Sequence, residues 1–142
     1  VAGFQRYGGP LVIVDFGTAT TFDILSSTGQ YLGGIIAPGP ETTTKVLHAA
    51  AAMLPAVKLE FPPTLVGRTT ETSIQSGLMF GGVAMVDGLN RQLTAELGND
   101  TRIIATGGLA SLFLPHFNTV EAVEPNLTLI GLQLIFERCA AR

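Results

Sequence analysis

Residues 11–25 read LVIVDFGTATTFDIL: a β-branched run that closes on an acidic residue, then a glycine, a cluster of hydroxyls and a second apolar run. LVIVDF has the character of a buried strand, and TFDIL alternates like a strand that returns beside it. Gly17 and Thr18 therefore fall in the bend. With no side chain at Gly17, backbone amides and the Thr18 hydroxyl can come directly against an oxyanion. Asp15, at the end of the first strand, can orient a cation against the same phosphates or accept from a water. An ordinary hairpin whose threonines serve β-propensity would read the same way.

Working outward, the pattern predicts a third strand over 31–37, so that the first three segments form a meander joined by the GTAT bend and a turn around 27–29. APGPE closes the third strand, with Pro38 and Pro40 at a helix start and Glu41 in the first turn. The helix is expected over 41–53, stopped by Pro55. Residues 55–68 (PAVKLEFPPTLVGR) are proline-rich and aperiodic, an excursion of the kind that often lines a site. A long helix follows from Thr70 or Glu71 to Leu97, with Gly77, Gly81, Ala84 and Gly88 on one stripe. Close packing against another helix or the sheet is the expected reason for that smallness, and a dimer seam would use the same groove. RIIAT (102–106) is a short buried strand that delivers Gly107 and Gly108. LASLFLP then resumes a helical pattern, residues 119–123 read as a short strand, and a helix opens at Pro125 or Asn126 and runs to the C-terminus. The result is a single α/β domain over 1–142 with a mixed sheet.

Composition narrows the function. Apolar residues make up 46% and charged residues 13%, half of the roughly 25% charged expected of a soluble domain. Part of the outer face is therefore expected to be covered by a second copy or a further domain. The apolar runs GLMFGGVAMV and LTLIGLQLIF fall short of the ~20 residues a bilayer span needs. A net charge of -3 without a basic cluster argues against nucleic-acid binding. The single Cys139 cannot pair internally, which fits a reducing compartment and a cytoplasmic protein, and its place in an apolar segment suggests a structural thiol. The chain opens with Val1 rather than methionine and reads as the later part of a longer protein. His48 and His116 lack partners at ligand spacing, and Ser76 and Ser111 lack a neighbouring histidine, so none is assigned chemistry. Arg68 is suited to a substrate carboxylate or to solvent.

A strand ending in TGG leaves room beside the carboxyl end of a sheet for a flat ring or a ribose. A D-x-G-T hairpin opening a meander, followed by such a strand, is the layout of nucleotide-binding halves in the actin-like and sugar-kinase fold. Neither feature carries the lysine of a P-loop, so phosphate charge falls to a cation, amides and threonine hydroxyls.

In order along the chain, DFGTATTFDIL, GQYLGGIIAPGP, VGRTTETSIQSG, IIATGG and NLTLIGL resemble the C-terminal half of a type III pantothenate kinase. The resemblance implies a ribonuclease H-like (actin-like ATPase) domain, a mixed five-stranded sheet with helices packed on both faces. It also implies a cytoplasmic homodimer that transfers a phosphoryl group from ATP to pantothenate, the first step of coenzyme A biosynthesis, with Mg²⁺ and a monovalent cation (K⁺ or NH₄⁺). By that resemblance Asp15 holds the monovalent cation, Gly17 and Thr18 contact ATP, and Gly107 and Gly108 form the adenosine motif. Thr70 contacts pantothenate across the dimer, with Thr69 as the competing alignment.

The family's first phosphate motif, D-x-G-N-T, and its G-x-D-R segment with the catalytic base are both missing from this sequence. Asp23, Asp87 and Asp100 stand outside any such motif and read as structural or solvated. No catalytic residue is therefore assigned here. The chain by itself is expected to bind weakly, if at all, and not to transfer phosphate. The readings from other classes are a non-catalytic binding or regulatory module that keeps the fold, as in an accessory protein of gene regulation, and a related kinase with another small hydroxyl substrate.

Overall fold

The computed structural model describes residues 1–51 and 53–141. Strands β1 (Leu11–Phe16), β2 (Ala19–Leu25) and β3 (Tyr31–Pro38) form the antiparallel meander. β4 (Arg102–Thr106) and β5 (Ala122–Val123) extend it on the other side of β1, both parallel, in the order β3-β2-β1-β4-β5. The register sets Asp15 opposite Thr21 on β2 and Thr106 on β4, so the GTAT bend and the TGG corner leave the sheet at the same edge. β3, antiparallel to β2, ends at that edge too.

Alternation along β1 divides two cores. Val12, Val14 and Phe16 face a cluster completed by Phe22, Met79, Val83, Val86 and Phe113, in which the Phe16 and Phe113 rings stack at 5.1 Å. Helix α3 (Thr70–Leu97) covers this face with the short α4 (Ala110–Phe113). Leu11 and Ile13 face the opposite cluster, closed by α1 (Ala2–Tyr7) and α5 (Leu127–Ala140) through Ala2, Leu127 and Leu134. Helix α2 (Pro40–Ala50) packs on β2 and α3.

Several expectations are corrected. Residues 2–7 form a helix where none is predicted; only six residues long, they carry too little periodicity to be read, and the α1 conformation is stabilised by packing on α5. Helix α2 ends at Ala50 rather than Met53, its cap residue Ala51 already extended; Ala52, within the predicted helix, lies outside the described residues, as does Arg142. The small stripe is not packed within the chain: a methyl built on Gly77, Gly81 or Gly88 would meet nothing within 4 Å. Gly82, off that stripe, is the close one, its built methyl 3.2 Å from Phe113. Cys139 is exposed rather than a core thiol.

Much apolar surface is uncovered, as the low charge content predicts: Ile36 is 80% exposed and Val66 75%, and on α5 Leu129 is 66% and Phe136 72% exposed. Among the described residues no helix is long and apolar enough to cross a membrane.

Candidate nucleotide site

At the carboxyl edge of β1, β3 and β4, a cavity of about 300 Å³ is lined by Phe16, Gly17, Thr18, Glu41, Gly108 and Leu109. The two glycine corners, about ninety residues apart in the chain, thus share one site. Gly107 makes the meeting possible. Its φ is +95°, and a methyl there would overlap Asp15 Oδ1 and lie 2.5 Å from the Phe16 carbonyl oxygen, so only glycine brings β4 this close to the end of β1. Gly108 has open space where its methyl would be.

The bend itself is held from α2. Gly39 N donates to the Thr18 carbonyl at 3.1 Å, Thr42 Oγ1 donates to the same oxygen at 2.7 Å, and Gly17 N donates to Ala19 O at 3.1 Å. A methyl on Gly39 would overlap the Gly17 carbonyl. The sequence marks APGPE as a helix start and its APGP loop, with Thr70, as a decider of the substrate; Glu41 comes to the cavity wall and Gly39 and Thr42 to the bend through tertiary contact.

Asp15 leaves the sheet on the α1 and α5 side, where it shares a pocket wall with Asp23, Thr106 and Leu127. Its Oδ1 lies 3.9 Å from where a methyl on Gly17 would stand, so the carboxylate borders both corners. Burial, and then the neighbouring Asp23 carboxylate, push the Asp15 pKa up. Among the described residues no group of three or more His, Cys, Asp and Glu side chains is placed to hold a metal.

Thr70 is not part of the cavity wall. It stands exposed in the first turn of α3, whereas the Thr69 hydroxyl is committed to a capping box: it accepts from Thr72 N at 3.2 Å, and Thr72 Oγ1 accepts from Thr69 N at 3.0 Å. The 55–68 excursion packs on α3 through Ser76 Oγ donating to Leu65 O and Gln75 Nε2 donating to Lys58 O at 3.2 Å. Of the unassigned residues, His116 stacks on Phe61 at 3.5 Å and His48 is exposed with Nδ1 2.7 Å from Leu54 O. Asp87 is buried and structural: it accepts from the backbone amides and side chains of Asn118 and Thr119. Burial pushes its pKa up, but these donors outweigh burial and hold it below the ordinary value.

The sheet order and this rim define an α/β domain with its site outside the carboxyl ends of parallel strands, where such sheets bind ligands. Residues 1–92 match the family model of type III pantothenate kinase, and the chain belongs to that family. It is 49% identical over 138 residues to a type III pantothenate kinase of Moorella thermoacetica, covering 97% of this chain and 54% of that protein. Against the type III pantothenate kinase of Frankia alni it is 46% identical over 138 residues, covering 97% and 55%. The chain thus spans about half the length of the curated relatives it matches. Its fold is similar to the crystal structure of a Campylobacter jejuni protein described as a conserved Baf family transcriptional activator. That likeness has a TM-score of 0.64 at 23% identity and covers 99% of this chain and 63% of that one.

Proposed function

We propose that this chain is the nucleotide-binding and dimerising C-terminal half of an ATP-dependent pantothenate kinase with the actin-like, ribonuclease H-like fold. The observation that carries the reading is the shared cavity: the Gly17 backbone, the Thr18 hydroxyl and an open corner at Gly108 line one space. The Thr18 hydroxyl takes the phosphates, and Gly108, brought to the rim by the close approach of Gly107 to Asp15 and Phe16, leaves room for the adenosine. Mg²⁺ and a monovalent cation, the latter at Asp15, would supply positive charge to the phosphates when bound. The raised Asp15 pKa is consistent with a carboxylate placed for such a partner.

In the reaction the primary hydroxyl oxygen of pantothenate bonds to the γ-phosphorus in line, as the bond from that phosphorus to the ADP oxygen breaks. The hydroxyl proton passes to a base in the other half of the protein. Thr70, exposed and outside the capping box, is the pantothenate contact in preference to Thr69. Two uncovered apolar surfaces support the wider assembly. On α5, Leu129, Leu132 and Phe136 point away from the face that buries Leu127 and Leu134, and a helix apolar on opposite sides belongs between two bodies. In this reading the second body is the N-terminal half, and the support for it is that the chain covers 54–55% of its curated relatives. The open stripe of α3, with exposed Val66 of the excursion that packs on that helix, is the dimer seam.

The test uses the whole protein. Asp15→Asn and Thr18→Ala should each weaken ATP binding about tenfold, the value of one hydrogen bond or ion contact to a charged group, and lower turnover. Unchanged nucleotide affinity and turnover in both variants would remove the hairpin's role. Robust phosphorylation of pantothenate by the 142-residue chain alone would refute the placement of the base in the other half.

A further inference from the structure

Among the described residues, Glu41 is the one titratable side chain that lines the cavity, and no lysine or arginine lines it. A carboxylate beside bound phosphates repels them unless a cation stands between. Its place is not accidental to a loose loop. Helix α2 is fixed to the bend by the Gly39 and Thr42 hydrogen bonds to the Thr18 carbonyl, and Gly39 approaches the bend too closely for any side chain. Nor is Glu41 occupied elsewhere: the ion pairs among the described residues are Arg6 with Glu124 and Arg102 with Glu121.

We propose that Glu41 is a specificity-determining residue that admits the Mg²⁺ complex of the nucleotide and rejects the bare anion. The inference rests on the nucleotide reading above. When the Mg²⁺ complex binds, the Glu41 carboxylate would attract its positive charge, and the same carboxylate repels free triphosphate. A first-turn glutamate that only complemented the α2 dipole would change helix stability without discriminating between the two forms.

Calorimetric titration of the whole protein with ATP in EDTA, and with ATP in excess Mg²⁺, separates these cases. Glu41→Gln should bind metal-free ATP more tightly and Mg²⁺-ATP more weakly, so that the ratio of the two dissociation constants shrinks about tenfold, within the usual range of coupling between ligands. Equal shifts in both constants, or none, with the parent protein binding normally, would overturn the role of Glu41 and leave the nucleotide reading standing. If the parent binds neither form, the nucleotide reading itself falls and this inference with it.

Discussion

Adjacent glycines at the end of β4 should respond oppositely to the same added methyl. At Gly107 the backbone has φ +95°, which costs a non-glycine residue about 1–3 kcal/mol. The new Cβ would also lie 2.5 Å from the Phe16 carbonyl oxygen and 2.7 Å from its carbon. Neither is the end of a flexible side chain, so relief requires β4 to draw back from β1, with an overpacking cost of about 1–3 kcal/mol. Together Gly107→Ala should destabilise the domain by about 3 kcal/mol. For 142 residues that is a fall in Tm of about 10 °C. Gly108→Ala meets nothing within 4 Å and should stay within about 0.5 kcal/mol of the parent. Its methyl instead enters the cavity wall and should weaken ATP binding while the protein melts normally. Differential scanning calorimetry with parallel ATP titrations reads both effects. If Gly107→Ala melts within about 2 °C of the parent, or if the two variants lose stability equally, the close approach of the corners is refuted.

Asp15→Asn should raise Tm at neutral pH in the absence of added monovalent cation. The folded-state pKa lies above the ordinary 3.8, so the ionised carboxylate costs stability as pH rises through that range, and the gain from asparagine should vanish below it; a Tm series from acid to neutral pH checks this. Asp87→Ala leaves the Asn118 and Thr119 donors unmatched and should cost about 2–4 kcal/mol by urea unfolding. Because the Asp87 pKa is lowered, its contribution is present above the ordinary value and lost as pH falls through the folded one. Thr69→Ala removes the α3 cap and should cost about 1 kcal/mol. Thr70→Ala should leave the melting curve in place and raise the KM for pantothenate in the whole protein. Phe136→Glu should destabilise the whole protein and leave the isolated half nearly unchanged, since the side chain is 72% exposed here; equal effects in both would remove the proposed cover of α5.

The strands and the long helix were legible because their signals are local. LVIVDF, TFDIL and RIIAT carry apolar or alternating runs, and the Thr69 cap lies immediately ahead of a helix that ends at Leu97 as the pattern predicts. The bend and the TGG corner could be singled out from glycine spacing, but their meeting depends on β1 and β4 being parallel neighbours, a fact of topology. Glu41 is invisible as a site residue for the same reason: in sequence it opens a helix, and only the tie of Thr42 to the Thr18 carbonyl brings it to the cavity. The small stripe of α3 was misread because spacing specifies which residues share a side of a helix, not what lies opposite; the structure leaves Gly77, Gly81 and Gly88 open. Helix α1 is too short to announce itself, and what holds it is distant in sequence: Ala2 packs with Leu11, Ile104 and Leu127, and Arg6 and Tyr7 reach Glu124, 117 or more residues away.

A single oxygen, the carbonyl of Thr18, receives both the Gly39 amide and the Thr42 hydroxyl. Both of its lone pairs are spent on α2, so helix and bend travel as one lever with the pivot at that atom. Any swing of α2 would carry the cradle along with it, and the mouth of the pocket would open or narrow in step with the helix rather than by motion of the bend alone.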